Sequence, residues 1–265
     1  MIEEFKTLAI WKVFIAKNKN DFPLEKHAEF AISLMDQYYK AFPKYTLHNQ
    51  EHLKNILRLV GELLGDNSEK LSDLECVIII LAVVFHDIGM VFSDGELKSI
   101  SEEADFRKFL ENDYHAKWLY TRNENTINME LAEWYCRSQH AKRVWLFLNR
   151  LDEDKWDGVS LKQQVGMICE SHNQDVNMLF SASFEPEFLG QADLRFCAIL
   201  LRLGDILDFD SSRSPKSLYE FLELDHPKNR LEEVSHMEWN KHLNSKGFQI
   251  KCEAAQCRLD RKSVV

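Results

Sequence analysis

Residues 74–89 read LECVIIILAVVFHDIG, and this stretch decides the fold. From Leu74 to Phe85 the run is apolar nearly all round, which predicts a helix buried on every side rather than an amphipathic surface helix. His86 and Asp87 close the run, and Gly89 follows in a C′ position. An Asp at the carbonyl end of a buried helix opposes the helix dipole and is stripped of water. A bound cation would resolve both conflicts.

The same logic extends in both directions. Upstream, His52 shares a face with Ile56, Val60 and Leu63, so it points inward at the start of its helix. Downstream, the stripe Leu194, Ala198, Leu201, Asp205, Asp208 puts carboxylates on a buried helix face, where they need a cation or several donors. Imidazole and carboxylate together suit Fe, Mn, Zn, Ni or Mg. Each residue also has an ordinary explanation. An inward His is commonly a hydrogen-bonded core residue, a buried Asp can pair with Arg202 one turn back, and His86-Asp87 can be a tautomer-fixing pair at a helix end. Inward polar residues on three separate helices make a shared divalent metal the stronger reading, with His52, His86, Asp87 and Asp205 as its ligands.

These residues sit in longer motifs. YTLHNQEH at 45–52, followed by Ile56, is similar to the opening helix of the HD superfamily of metal-dependent phosphohydrolases. FHDIGM at 85–90 resembles that superfamily's central motif, and LLRLGDILD at 200–208 its closing Asp helix. The segments Arg137-Ser138-Gln139-His140-Ala141 and Ser171-His172-Asn173, with the run from Asp205 through Asp208 to Arg213, resemble a subgroup of bacterial multidomain proteins. Some members of that subgroup carry a GHKL-type ATPase domain downstream. The resemblance covers about residues 40 to 215.

The resemblance implies an all-α HD-domain helical bundle that hydrolyses a nucleotide or other phosphoester with one or two divalent ions (Mn, Fe, Mg, Zn or Ni). It implies that Asp87 bridges two metals, with His140 and His172 on the second. The residues alone leave this open: His172 ends the stripe Leu161, Val165, Ile168 and can be a core or phosphate-binding histidine, and His140 can face solvent. His48, one turn before His52, is a candidate acid or base, which makes His48, Asp87 and His172 the expected catalytic set. Arg137, Arg213 and Asp208 are the expected substrate contacts, although an isolated Arg is commonly a solvated face or a cap. Arg202 is expected to pair with Asp205 or Asp208. His115 is a weaker candidate, and His27, His226, His236 and His242 read as surface or packing residues. Such a centre lowers the pKa of water toward neutrality and offsets phosphoryl charge.

Composition agrees with this picture. A chain of 265 residues can bury a full core, and nine Gly and five Pro are few enough to favour long helices. A net charge of -10 argues against broad nucleic-acid binding, so the expected partner is a small phosphoester. The six Cys show no zinc-finger or disulfide spacing, which points to reduced thiols in a cytosol. No signal-peptide layout is visible, and the longest apolar run is too short for a bilayer, so no membrane partner is expected. GxxxxGK[ST], GxSxG and HExxH motifs are absent. Homo-oligomerisation stays open.

Helices are expected at about 3–18, 23–41, 49–64, 71–87, 102–121, 127–150, 160–172, 191–208, 214–223 and 228–244. The domain reading is N-terminal helices at 1–44, an HD domain at 45–215 and a C-terminal helical extension at 216–265. Phe248 to Cys252 alternates like a strand. Read as a strand without a partner, followed by RLDRKSVV, it suggests the start of a further domain. That ATPase-linked setting supports an alternative function, a non-catalytic regulatory module that binds nucleotide or metal.

Overall fold

The computed structural model describes residues 2–209, 211–253 and 256–261, with side chains as far as Ile250. The architecture is the all-α bundle expected from the sequence, with a small C-terminal β element. The helices are α1 (Ile2–Lys6), α2 (Ala9–Lys17), α3 (Leu24–Met35), α4 (Tyr38–Ala41), α5 (Gln50–Leu64), α6 (Asp73–Phe85), α7 (Asp94–Leu97), α8 (Phe106–Asn112), α9 (Tyr114–Arg122), α10 (Met129–Leu148), α11 (Lys162–Ser171), α12 (Leu194–Leu207), α13 (Lys216–Phe221) and α14 (Arg230–Leu243). The strands are β1 (Lys155–Trp156), β2 (Val159–Ser160), β3 (Phe248–Glu253) and β4 (Gln256–Arg261). Among the described residues no helix is long and apolar enough to cross a membrane.

The central helix is α6. Every residue from Cys76 to Phe85 is buried, because α2, α3, α5, α11 and α12 pack around it. Each large aliphatic side chain buried there contributes roughly 1.5–3 kcal/mol. A capping box starts the helix: the Glu75 amide donates to Ser72 Oγ at 3.0 Å, and the Ser72 amide donates to Glu75 Oε2 at 2.9 Å. The other oxygen of Glu75 accepts from the Asp193 amide at 3.2 Å, which ties the start of α12 to the start of α6. Asn49, Asn128 and Asp193 cap α5, α10 and α12 with their side chains. The buried core runs continuously from Ile2 to Leu201, so α1–α3 belong to it.

Several expected helices are interrupted. The 3–18 segment breaks at Thr7, whose hydroxyl donates to the Glu4 carbonyl at 2.6 Å and competes with the helix ladder. The 102–121 segment is two helices, because Asp113 turns its carboxylate onto the Ala116 amide at 2.9 Å and starts a new one. The 23–41 segment is α3 and α4, with a turn at Asp36-Gln37. β3 is not partnerless: it pairs antiparallel with β4, Phe248 opposite Arg261 and Glu253 opposite Gln256. QCRLDR lacks β-branched and aromatic residues, so β4 owes its form to backbone pairing with β3 rather than to propensity. β3 also packs on α5. The last part of the RLDRKSVV segment, 262–265, lies outside the described residues.

Candidate metal centre

Asp87 sits where α6 ends and a 3-10 turn, Ile88–Met90, begins. Its two oxygens face different neighbours. Oδ2 lies 3.1 Å from His86 Nε2 and 3.5 Å from His52 Nε2. Asp205 closes that side, with Oδ1 3.6 Å from His52 Nε2 and 3.8 Å from His86 Nε2. Oδ1 of Asp87 lies 3.4 Å from His140 Nε2 and 3.8 Å from His172 Nε2. The structure therefore gathers two groups about one carboxylate. His52, His86 and Asp205 form one and Asp87, His140 and His172 the other, the ligand atoms of each lying within 4.8 Å of one another. Both groups could hold a metal ion.

The elements that deliver these side chains follow from the sequence. His52 is on the first turn of α5 and Asp205 on the last turn of α12. The two helices approach closely at Gly204, where a Cβ would stand 2.8 Å from Ile56 Cγ2 and 2.9 Å from Val60 Cγ2. His140 is in the middle of α10, and His172 caps the C-terminus of α11.

The histidine tautomers are fixed from behind. His86 Nδ1 donates to the Val83 carbonyl at 2.8 Å, His140 Nδ1 to the Arg137 carbonyl at 2.7 Å, and His172 Nδ1 to the Cys169 carbonyl. A carbonyl can only accept, so each Nδ1 carries the hydrogen and each neutral ring presents a lone pair at Nε2. His52 does the same through the Asp208 carboxylate, Oδ2 at 2.6 Å. The Nε2 atoms of His52 and His86 are buried without a hydrogen-bond partner. Those of His140 and His172 lie 2.9 Å apart, a separation that two lone pairs tolerate only with a proton or a cation between them. Inward lone pairs, orphaned buried nitrogens and adjacent carboxylates are the donor set a hard-to-intermediate divalent cation requires.

The electrostatics call for positive charge at the same place, which a proton on His86 Nε2 or a bound cation supplies. Burial opposes ionisation of Asp87, yet His86 and the other imidazoles hold its carboxyl well below the usual range. Asp205 is lowered against burial by His86. Burial pulls the His86 imidazole down, but the Asp87 and Asp205 charges outweigh it and raise the pKa to about 9. Burial, followed by the nearby His140 and His86, lowers His172 to about 4.

The centre forms the floor of a cavity of about 480 Å³. Arg137 lines it with its guanidinium over the Tyr45 ring at 4.2 Å, and its Nη1 is buried with no partner. His48 also reaches the cavity, with Nε2 3.8 Å from Asp87 Oδ2. Its Nδ1 donates to the Thr46 carbonyl at 2.7 Å, and Arg213 Nη2 donates to its Nε2 at 2.5 Å. Burial and Arg213 hold the His48 imidazole well below its ordinary pKa.

Some expected substrate contacts are engaged elsewhere. Asp208 spends Oδ2 on His52, and Arg213 spends Nε on the Leu47 carbonyl at 3.2 Å and Nη2 on His48. Both line the cavity, but these bonds brace its wall. Arg202 does not pair with Asp205 or Asp208. It donates to the carbonyls of Ser171 and Gln174, because the unsatisfied C-terminus of α11 is nearer and attracts cations. His115 lies away from the centre, between Trp118 and Trp134. Reading the residues one helix at a time leaves out Glu238 and takes His242 only as a surface or packing residue; it is buried against Phe209, and both line the cavity from α14. Their spacing of four puts them on one helix face, but nothing local says which surface that face meets.

A helical bundle enclosing a buried histidine–aspartate cluster that could hold metal is the class of protein this fold and site define. The HD-CE family model matches residues 42–265, and the chain belongs to that family. An HD-like domain thus accounts for most of the chain, with α14 and the C-terminal hairpin inside the matched span. No curated protein and no solved structure gives a significant match.

Proposed function

We propose that this protein is a metal-dependent phosphohydrolase with a two-ion centre, acting on a nucleotide or another phosphoester. The observation that carries the reading is the division of Asp87, one oxygen facing His52, His86 and Asp205 and the other facing His140 and His172. Divalent ions held there would supply Lewis acidity and would offset the charge of a phosphoryl group. His52, His86 and Asp205 would hold one ion, His140 and His172 the other, and Asp87 both.

The remaining residues have separable tasks. Asp208 fixes the His52 tautomer, so that Nε2 stays an acceptor. Arg213 holds the 46–48 segment in place through Leu47 and His48. His48, with its hydrogen on Nδ1 and its Nε2 accepting from Arg213, serves as a neutral positioning group at the cavity wall. Arg137 is the group suited to an anionic substrate: its Nη1 has no partner, its guanidinium lies over the Tyr45 ring, and Asp87 lines the same cavity.

The test is elemental analysis after loading with Mn or Co, paired with a hydrolysis screen of nucleoside phosphates, cyclic nucleotides and short oligonucleotides. Bound metal and chelator-sensitive turnover, both lost in His86→Ala and Asp87→Ala, are the expected results. Folded, metal-loaded protein that binds nucleotide but leaves every substrate intact would replace the enzyme with a regulatory module. Unchanged metal content in both variants would remove the centre altogether.

A further inference from the structure

Gly89 is two residues beyond Asp87, and its φ lies outside the left-handed region, so its backbone does not require glycine. Its surroundings do. A Cβ built there would stand 2.0 Å from the His140 carbonyl oxygen, 2.8 Å from the His140 carbonyl carbon and 2.9 Å from Arg143 Cβ. Backbone cannot swing aside as a side-chain tip can, so the 3-10 turn carrying Gly89 touches α10 at the residue that faces Asp87. The contact is clamped. Arg143, buried one turn further along α10, donates Nη1 to the Gly89 carbonyl. Its Nε lies 3.1 Å from both Glu103 oxygens, and the Tyr135 hydroxyl donates to Glu103 at 2.9 Å.

The two halves of the centre ride on different helices. His52, His86 and Asp205 come from α5, the end of α6 and α12, whereas His140 and His172 come from α10 and the end of α11. Asp87 belongs to both halves, and two residues past it the contact of Gly89 with His140 joins them. We propose that Gly89, clamped by Arg143, is the positioning residue that sets the span from Asp87 to His140 and therefore decides whether the centre holds one ion or two. This rests on the two-ion reading above. Substituting Ala must separate turn and helix by about 1 Å or more, since Cβ contacts below about 3 Å do not persist. His140 then leaves the reach of Asp87 Oδ1 and the second ion loses that ligand, while His52, His86 and Asp205, which lie on no part of α10, keep their arrangement.

The experiment loads wild type, Gly89→Ala and Arg143→Met with Mn(II) alone and measures ions per chain, with the EPR signal reporting spin-coupled pairs against isolated ions. Wild type should hold two ions, and Gly89→Ala should hold one with an isolated-ion signal and an unchanged affinity for it. Arg143→Met keeps the packing but loses the clamp, so its second ion should bind ~10–100-fold more weakly. Two coupled ions at wild-type affinity in Gly89→Ala would overturn the joint, as would loss of both ions from a variant that remains folded. If Gly89→Ala does not fold, Arg143→Met decides alone: a wild-type affinity for the second ion refutes the proposal. Fewer than two ions in wild type would instead refute the two-ion reading.

Discussion

Asp208→Asn isolates the bond behind His52. Asp208 is 2% exposed, and its Oδ2 accepts from His52 Nδ1 at 2.6 Å. The amide keeps the shape and an acceptor oxygen but removes the charge, so the ring is still held while its basicity at Nε2 falls. Outer partners of this kind typically contribute ~10–100-fold to metal affinity, or about 1.4–2.7 kcal/mol. Ligand binding at saturation adds stability in proportion to the logarithm of affinity, so the variant's metal-induced stabilisation should shrink by that amount. For a domain of this size each kcal/mol shifts Tm by about 2–4 °C, so metal should raise the variant's melting temperature roughly 3–11 °C less than the wild type's. Differential scanning fluorimetry over a Mn titration, with isothermal titration calorimetry for affinity, reads both quantities. Without metal the melting temperatures should differ little. An unchanged metal affinity, or a loss of stability equal with and without metal, would show that Asp208 only packs against His52.

His172→Ala should remove one ion of two and leave the His52, His86, Asp205 side loaded; elemental analysis that finds both ions retained would reject His172 as a ligand. Arg137→Ala should raise KM by about 10–150-fold, the worth of a charge-assisted hydrogen bond, with Arg137→Lys in between because an ammonium lacks the planar fork of the guanidinium held over Tyr45. Equal KM values across wild type and both variants would remove Arg137 from substrate binding. Glu133, buried on α10, has its carboxyl raised to about 8 by burial, against the pull of Arg137. Between its ordinary 4.5 and 8, the unfolded chain releases a proton that the folded chain keeps. Its contribution to stability is thus present below pH 4.5, falls by up to about 1.4 kcal/mol per pH unit, and is lost above pH 8. Glu133→Gln should flatten the decline of stability between pH 5 and 8 in urea melts, and an unaltered slope would refute the buried-acid reading.

Much of this protein was legible from local pattern. The apolar run Val77–Phe85, in a chain with few Gly and Pro, pointed to a helix enclosed on all sides, because that placement removes its apolar surface from water. His52 and Asp205 declared their inward direction by helical spacing with Ile56, Val60, Ala198 and Leu201, since side-chain direction on a helix repeats with sequence period. Helix breaks were less visible. Thr7 and Asp113 turn short polar side chains onto nearby backbone, and that competition is settled by small energies that the hydrophobic pattern does not report.

The sequence by itself determined a helical bundle with histidines and aspartates aimed at its interior, because periodicity and burial are properties of single helices. Only the tertiary structure decided which oxygen of Asp87 faces which histidines, because that depends on how closely helices approach. Gly89 against the His140 carbonyl and Gly204 against Ile56 set those approaches. It also decided that Asp208 and Arg213 brace the wall while Arg137 stays open, and that Glu238 and His242 of α14 line the cavity. Charged groups take whichever partner the fold brings within about 3 Å, and sequence separations such as the 156 residues between His52 and Asp208 carry no record of that distance.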